Sequence, residues 1–361
     1  MNPEPTSAWT ATPFDEPFVR RLAEADGPAD LAGTWPKGLW SILVEWGAPR
    51  WSLPATWDGF GMEKPALVAA NARVAKGSLT AAFILSQHDA AVRRLLLSAD
   101  RPTATYWLDA ISTGEAFATV GLSQLTTSRR AGLSARIVGP GGFELHGAMP
   151  WVTAAERADV FVGGAVLDDG RQILFALPAD RPGVTVRPAY DLAALGASRT
   201  SEVACDRVEL AESDLLGGPS PDVMQTGPSV GTGGLETSAL AVGQALAALE
   251  ALEALGASAG STLAEPVEAL RKAWHALRDD LDANARGAPD APNSAEIRTR
   301  ANALVLRLTQ AYLTARKGSG FLKSDPAQRW ARQALFFLVW SCPRPVADAA
   351  IRDLAGLCQL G

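Results

Sequence analysis

The sequence has little cysteine or histidine, and what it has is scattered. There are three of each in 361 residues, and Cys205, Cys342 and Cys358 are far apart, with no cysteine or histidine nearby at metal-ligand spacing. Such a pattern predicts neither a disulfide framework nor a metal site. Free, separated cysteines are typical of a reducing compartment, so we expect a cytoplasmic protein.

The chain also lacks an excess of positive charge and a long apolar run. Lys and Arg number 33 against 39 Asp and Glu, a net charge of -6, so we expect no nucleic-acid partner. The first residues, "MNPEPTSAWTATPFDEP", carry proline and acids where a signal peptide needs a positive start and an apolar core. No stretch approaches about 18 uninterrupted apolar residues, so no membrane span is expected.

Both ends of the chain have the apolar spacing of helices. Residues 14–113 show it with Ser78 as an N-cap, interrupted by the loop "GAPRWSLPATWDGFGM". After residue 235 the chain is rich in Ala and Leu, with apolar stripes at 242–249, 267–281 and 297–308. Three caps and breakers divide this region: Asn293 or Ser294 as a cap, Asp325-Pro326 as the start of a fourth helix, and Pro343 as its end. These features predict a helical bundle.

The middle of the chain has the texture of short strands. Runs rich in Val, Ile and Phe are bounded by turn residues, and they lie at 161–166, 173–177, 184–186 and 203–210. Strands at this spacing favour a small β-barrel or sandwich. The sequence therefore predicts an α+β multidomain protein, with an N-terminal helical domain (1–113), a middle β-barrel domain (114–218) and a C-terminal helical bundle (219–361).

Several ordered stretches of this sequence resemble the acyl-CoA dehydrogenase family. "WSLPATWDGFGM" is similar to the family's proline-aromatic-glycine-x-glycine segment, and "YWLDAISTGE" is similar to the run that leads into its β-domain. The strongest match is "GGFELHGAMPWVTAAERADVFVGGAV", which "LPADRPGVTVRP" and "SRTSEVACDRVELAESDLLG" continue in order. The resemblance implies the family's helical, β, helical fold over nearly the whole chain.

The resemblance implies that FAD is the cofactor and indicates the residues that bind it. Trp151 would flank the isoalloxazine ring, and Thr153 would hydrogen-bond near the flavin N5, where a donor favours the reduced ring. Aligning "GLSQL" with the family's flavin loop puts Ser123 at the position of a threonine that contacts the flavin pyrimidine. The alternative is structural: Trp151 packs in a core and Thr153 caps a strand end.

The following residues, "TTSRR", are where the resemblance implies contacts with the acyl-CoA substrate. Ser128 falls within the family's glycine-serine-aspartate motif, and Arg129 could meet a phosphate. Both are predicted substrate contacts, although Arg129 and Arg130 also fit a solvated charge pair at a strand edge. In the same loop, Gln124 and Leu125 replace the family's acid and proline.

Two expected motifs are missing. The glutamate that removes the α-proton in the family usually follows the last bundle helix, but Ser341, Cys342 and Pro343 occupy its positions here. Glu236, in "GGLETSAL", is the candidate catalytic base, about one turn from the place where some relatives carry it; it equally suits the first turn of a helix. The arginine-x-x-phenylalanine-glycine segment that reaches FAD across a subunit interface is also absent from "GASAGSTLAEPVEAL".

These observations leave three hypotheses for the function. The first is an FAD-dependent oxidoreductase that acts on the CH–CH group of an acyl-CoA or another acyl thioester, with the usual base missing. The second is a flavin-dependent monooxygenase or oxidase on the same fold, which needs no α-proton base. The third is a non-catalytic relative. The resemblance also implies a homo-oligomer and, for the first hypothesis, an electron-transfer partner.

Overall fold

The computed structural model describes residue 9 and residues 16–126, 132–224, 234–259, 263–340 and 342–357. Its elements follow the predicted order, helical, then β, then helical. The first region contains α1 (Glu16–Ala32), α2 (Lys37–Glu45), α3 (Lys64–Gly77), α4 (Leu79–Leu96) and α5 (Pro102–Ser112). The Ser78 hydroxyl accepts a hydrogen bond of 3.1 Å from the amide of Ala81, which confirms the predicted cap.

The described residues of the middle region form one mixed sheet of eight strands. Its hydrogen-bonded path is β6-β7-β3-β2-β4-β5-β8, and β1 pairs in parallel with β4. The short helix α6 (Ser123–Thr126) follows β1 directly. The strands are β1 (Ala118–Gly121), β2 (Ser134–Ile137), β3 (Gly142–Val152), β4 (Val160–Leu167), β5 (Gln172–Pro178), β6 (Val184–Val186), β7 (Ser201–Ala211) and β8 (Leu215–Ser220).

In the described residues of the last region, there are three long helices and three short ones. They are α7 (Leu235–Ala259), α8 (Ala264–Ala285), α9 (Ser294–Arg316), α10 (Pro326–Ala334), α11 (Phe336–Val339) and α12 (Arg344–Leu354). Asn293 accepts hydrogen bonds from the first turn of α9, and Asp325 accepts one from the first turn of α10, as predicted. The predicted end at Pro343 is wrong, because α10 already ends at Ala334. Pro343 instead stands at the N-cap of α12, where a residue without an amide N–H is well tolerated.

One hydrophobic core joins the two helical regions. It includes Leu22 of α1, Leu85 of α4, Val242 of α7 and Leu308 of α9, all fully buried. A second core fills the sheet, and a third lies between α4, α5 and strands β1 and β4. By length and composition, residues Leu235–Ala257 of α7 could cross a membrane, but 61% of their apolar window is buried in the structure. That burial is equally typical of the central helix of a bundle.

Helices α3 and α7 approach closely at Gly243. A Cβ atom added there would overlap the carbonyl oxygen of Ala72 and lie 2.9 Å from Cβ of Ala75. We expect Gly243→Ala to lower the free energy of unfolding by at least about 1–3 kcal/mol, because the two helices must separate. Urea unfolding followed by circular dichroism measures this change.

Gly256→Ala is the matched control on the same helix. A Cβ atom at residue 256 would lie 3.6 Å from Cβ of Leu263, which is an ordinary contact. Alanine is the better helix former by about 1 kcal/mol, so this variant should be as stable as the parent or more stable. Equal losses in the two variants would contradict the close approach at Gly243.

Candidate functional site

Trp151 stands out in the sheet because its backbone is strained and its side chain is exposed. The pairing of β3 with β7 shifts register between Met149 and Val152, and Trp151 lies in this irregular stretch with φ of 60°. Bulky residues rarely adopt this left-handed conformation. The indole is nevertheless 48% exposed. Bulges of this kind commonly direct a side chain towards a functional site.

Ser123 lies beside Trp151. It begins α6 directly after β1, and its hydroxyl donates a hydrogen bond of 2.8 Å to the carbonyl oxygen of Pro150. The amide of Gln124 fixes the same turn by donating to the carbonyl oxygens of Gly121 and Gly164, at 3.0 and 2.7 Å. The structure therefore brings two of the predicted cofactor residues together. Ser128 and Arg129, the predicted substrate contacts, lie outside the described residues.

Thr153 is close to this pair in sequence but points inward. Its side chain is fully buried, and its hydroxyl lies 3.3 Å from that of Thr200, which lies 2.8 Å from the hydroxyl of Ser198. The Thr119 hydroxyl donates to the carbonyl oxygen of Thr153 at 2.8 Å. The sequence predictions did not include Ser198 and Thr200 as neighbours of Thr153. Their only signal was the stretch "GASRTSEV", which offers several small hydroxyl side chains before a strand.

An aromatic contact connects Trp151 to a cavity. The Tyr190 ring lies 4.6 Å from the Trp151 ring, centroid to centroid, and Tyr190 also lines a cavity of about 320 Å³. Arg199 and Arg332 are in the cavity wall, and each is already paired with an acid: Glu156 at 2.9 Å and Asp30 at 2.6 Å. The cavity wall is therefore polar, and its two arginine charges are balanced.

Glu236 lies where the first turn of α7 packs against α4. Its carboxylate accepts a hydrogen bond of 2.6 Å from Arg93, and the two side chains are 28% and 27% exposed. Asp89, one turn before Arg93 on α4, is almost completely buried. Burial raises the pKa of Asp89 to about 7; Arg93 opposes this shift and Glu236 adds to it. Sequence analysis missed Asp89 and Arg93, because neither lies near Glu236 in the sequence.

The raised pKa of Asp89 has a consequence for stability. Its usual value is about 3.9, so the folded protein binds this proton more tightly than the unfolded chain does. The stabilisation is complete below about pH 4 and is lost as the pH rises through about 7. We expect the stability of the parent relative to Asp89→Asn to fall between pH 4.5 and 7.5, by up to about 1.4 kcal/mol per pH unit. Urea unfolding across this range measures it, and a constant difference would contradict the assignment.

No carboxylate stands at residues 342 and 343, the described part of the position where the family's base is expected. Cys342 is partly buried there; burial raises the pKa of its thiol and the Arg298 guanidinium opposes the shift. Next to it, the rings of Phe83, Phe336 and Trp340 pack together with centroids 4.7–4.9 Å apart. Ser341 lies outside the described residues. Within the described ranges, no group of three or more His, Cys, Asp or Glu side chains could hold a metal ion.

Curated proteins of known type are similar to this chain along most of its length. No protein-family model matches the sequence. A probable acyl-CoA dehydrogenase of Bacillus subtilis is 24% identical over 328 residues, which cover 84% of this chain and 86% of that protein. (2S)-methylsuccinyl-CoA dehydrogenase of Cereibacter sphaeroides is 25% identical over 234 residues, 60% of this chain and 42% of that protein.

Solved structures share the fold. Butyryl-CoA dehydrogenase from Megasphaera elsdenii superposes with a TM-score of 0.79 at 17% identity, over 98% of this chain and 100% of that one. Glutaryl-CoA dehydrogenase gives 0.79 at 17% identity, over 96% of both chains. The chain is thus similar to acyl-CoA dehydrogenases in sequence, at low identity, and shares their fold. FMN-bound dibenzothiophene monooxygenase from Paenibacillus shares the fold equally well, with a TM-score of 0.80 at 17% identity over 94% of both chains.

Two of the three side chains predicted to bind the cofactor are placed where they suit a flat aromatic ring. Trp151 presents an exposed ring, and the Ser123 hydroxyl lies beside it, on the carbonyl oxygen of Pro150. The Thr153 hydroxyl is turned towards Thr200, behind this surface. Trp151 and Ser123 therefore offer an exposed aromatic face with a hydroxyl beside it, which suits a flat aromatic cofactor.

Proposed function

We propose that the chain is a flavoprotein oxidoreductase that uses FAD and acts on the CH–CH group of an acyl thioester. The observation that carries the proposal is Trp151, a strained, half-exposed tryptophan at a β-bulge, with the Ser123 hydroxyl beside it. Strain in the backbone of a bulky residue persists only where the surrounding fold enforces it, and it is concentrated at functional sites. A bound flavin would supply the acceptor for the hydride that leaves the substrate β-carbon.

The side chains of this chain would hold the cofactor and exclude water. The Trp151 indole would cover one part of the ring system, with Tyr190 packed behind it, 4.6 Å away. The Ser123 hydroxyl, anchored on the strand end, would orient the polar edge of the ring. The Thr153 hydroxyl near the flavin N5 stays part of the proposal, and reaching it would require Thr153 to exchange its contact with Thr200.

Glu236 is the proposed base for the α-proton. Its carboxylate is partly exposed and held by Arg93, which fixes its orientation on α7. In the reaction, the α-carbon would lose its proton to Glu236 while the β-carbon loses a hydride. We expect Glu236→Gln to slow flavin bleaching by acyl-CoAs at least about 10²-fold, because an amide cannot accept the proton. Anaerobic stopped-flow mixing at the flavin absorbance band measures this rate.

Glu253→Gln is the matched control for Glu236→Gln. Glu253 lies on the same helix and pairs with Arg271 at 2.8 Å, so this substitution also breaks an ion pair of α7. It should leave the bleaching rate unchanged. An unchanged rate in Glu236→Gln would remove Glu236 as the base, while leaving flavin binding to be judged separately.

The substrate and partners of this reaction are also proposals. The curated relative of Bacillus subtilis is a probable acyl-CoA dehydrogenase, and a solved structure from work on the electron-transferring flavoprotein of Acidaminococcus fermentans shares the fold. Their names suggest an acyl-CoA substrate and an electron-transfer partner for this chain. Ser128 and Arg129 would then contact the substrate, in a homo-oligomer located in the cytoplasm.

A flavin-dependent monooxygenase is the second candidate. One observation favours it: residues 342 and 343, at the position expected for the family's base, carry a cysteine and a proline in place of a carboxylate. Anaerobic mixing with a panel of acyl-CoAs separates the two candidates. Bleaching without oxygen supports the oxidoreductase, whereas an oxidised spectrum with every acyl-CoA, in protein that binds flavin, favours the monooxygenase.

A further inference from the structure

Arg298 is a charged side chain in the interior of the C-terminal bundle. It lies on α9, is 1% exposed, and donates hydrogen bonds from Nε to Oδ1 of Asn302 at 2.9 Å and from Nη2 to the carbonyl oxygen of Trp340 at 3.0 Å. Both acceptors are neutral. Nη1 is buried and has no hydrogen-bond acceptor in the described part of the protein. The guanidinium therefore keeps a set of N–H donors without a partner.

Within the part of the chain that the structure describes, no acid compensates the charge of Arg298. In the described ranges, the ion pairs of α9 involve Arg300, Arg307 and Arg316, and none includes Arg298. Burial lowers the pKa of Arg298 to about 10, and the neighbouring Cys342 thiol is the group that opposes this shift. A buried cation is costly unless an anion accompanies it. Arg298 is thus a buried cation for which the described residues supply no acidic partner.

The surroundings of Arg298 favour an anion as well. Cys342, which is only partly buried, is close enough to affect the charge of Arg298, and α12 begins two residues after it, at Arg344. Helix N-termini carry partial positive charge and free amide N–H groups. This corner follows the end of α11, so it coincides with the position where the sequence has lost the family's carboxylate.

We propose that Arg298 is the binding point for a carboxylate that comes from outside the chain. A carboxylate is planar, and its two oxygens match the pair of donors on the Nη1 edge of a guanidinium. The ligand is either a small free carboxylate or the carboxylate of a substrate that reaches the bundle from the side of Cys342. This inference goes beyond the proposed flavin chemistry; binding of a free carboxylate does not depend on that chemistry, whereas binding of a substrate carboxylate rests on the proposed function.

The first test is thermal unfolding of the purified full chain with sodium formate, at ionic strength held constant with a bulky sulfonate. We expect the melting temperature to rise by about 2 °C or more in excess formate, because a ligand of the folded state stabilises it. Arg298→Met should lose this rise. Arg300→Met, which removes a surface arginine of the same helix paired with Asp280, should keep it.

The second test uses Cys342 as a reporter of the charge on Arg298. The guanidinium favours the thiolate, so a bound carboxylate should raise the thiol pKa and slow alkylation by iodoacetamide at pH 8 by about 3-fold or more. Cys205 reacts too slowly to interfere, because burial raises its pKa to about 12. Cys358→Ser removes the remaining thiol. If Arg298→Met fails to fold, the effect of formate on the alkylation rate of Cys342, compared between the parent and Arg298→Lys, still tests the proposal.

The outcomes distinguish a free carboxylate from a substrate carboxylate, and both from a protein that lacks this site. A response to formate that Arg298→Met removes supports the site with a small free carboxylate. Tighter binding of succinyl-CoA than of butyryl-CoA, abolished in Arg298→Met, supports it with a substrate carboxylate. Equal responses of parent and Arg298→Met to formate, together with equal binding of the two thioesters, would overturn the proposal. A Cys342 thiol pKa below that of free cysteine, unaffected by formate, would identify the thiolate as the counter-ion and overturn it as well.

Discussion

Replacing Trp151 with alanine should weaken flavin binding by about 10- to 100-fold, because the largest apolar contact with the ring system is lost. The indole is half exposed, so its removal costs the fold little. Trp151→Phe keeps an aromatic face in the same strained backbone and should retain most of the affinity. Fluorescence titration of the apoprotein with FAD measures the dissociation constants.

Tyr106→Ala is the control for loss of an exposed aromatic ring. Tyr106 is 65% exposed on α5, away from the β3 bulge, and its replacement should leave flavin affinity unchanged. If Trp151→Ala binds FAD as tightly as the parent, Trp151 is an exposed packing residue and the proposed ring site is wrong.

The second large effect is expected at the buried ion pair between the two helical regions. Asp26 of α1 lies 2.8 Å from Arg329 of α10, with side chains 1% and 8% exposed, and it also accepts a hydrogen bond from Ser78. Burial raises the pKa of Asp26, which Arg329 and Ser78 counter by stabilising its ionised form. Arg329→Met should lower the free energy of unfolding by about 3–5 kcal/mol, because a buried carboxylate loses its partner.

Arg21→Met provides the comparison at the surface. Arg21 pairs with Glu45 at 2.6 Å, but the two side chains are 43% and 56% exposed. Solvent screens such a pair, so its loss should lower the free energy of unfolding far less than the loss of Arg329 does. Urea unfolding measures the loss of unfolding free energy in both variants. Similar losses would mean that the ion pair between Asp26 and Arg329 does not connect the two helical regions as described.

The parts of the fold that the sequence predicted depend on local interactions. The caps at Ser78, Asn293 and Asp325 each bind an amide two or three residues ahead, so the residues that form them are adjacent in the sequence. The apolar stripes of α7, α8 and α9 follow directly from helical periodicity. Pro343 misled the prediction, because proline is accepted at a helix start as readily as it ends one.

The site could be predicted only in part, since its geometry depends on distant partners. The family resemblance indicated Ser123 and Trp151, which the structure brings together. The left-handed backbone of Trp151 follows from the pairing of β3 with β7, whose residues lie some fifty positions later in the chain, as Val152 opposite Ser201 shows. Likewise, Arg93 reaches Glu236 across 143 residues, and no local pattern indicates that contact.

The inward orientation of Thr153 has the same origin. Its hydroxyl meets Thr200, 47 residues away, and this contact exists only because β3 and β7 are neighbours in the sheet. The sequence motif contains the threonine but no information about its partner. The motif resemblance therefore supplied the candidate residues, while the strand pairing decided which of them face outward.

Flavin binding by the purified full chain tests the central claim most directly. The protein should be yellow as isolated, or take up about one FAD per chain on titration, with an absorbance spectrum in the flavin bands. FMN should be titrated in parallel, since an FMN-bound protein shares the fold. A colourless preparation that binds neither FAD nor FMN would contradict the account, because Trp151 and Ser123 would then have no cofactor to hold.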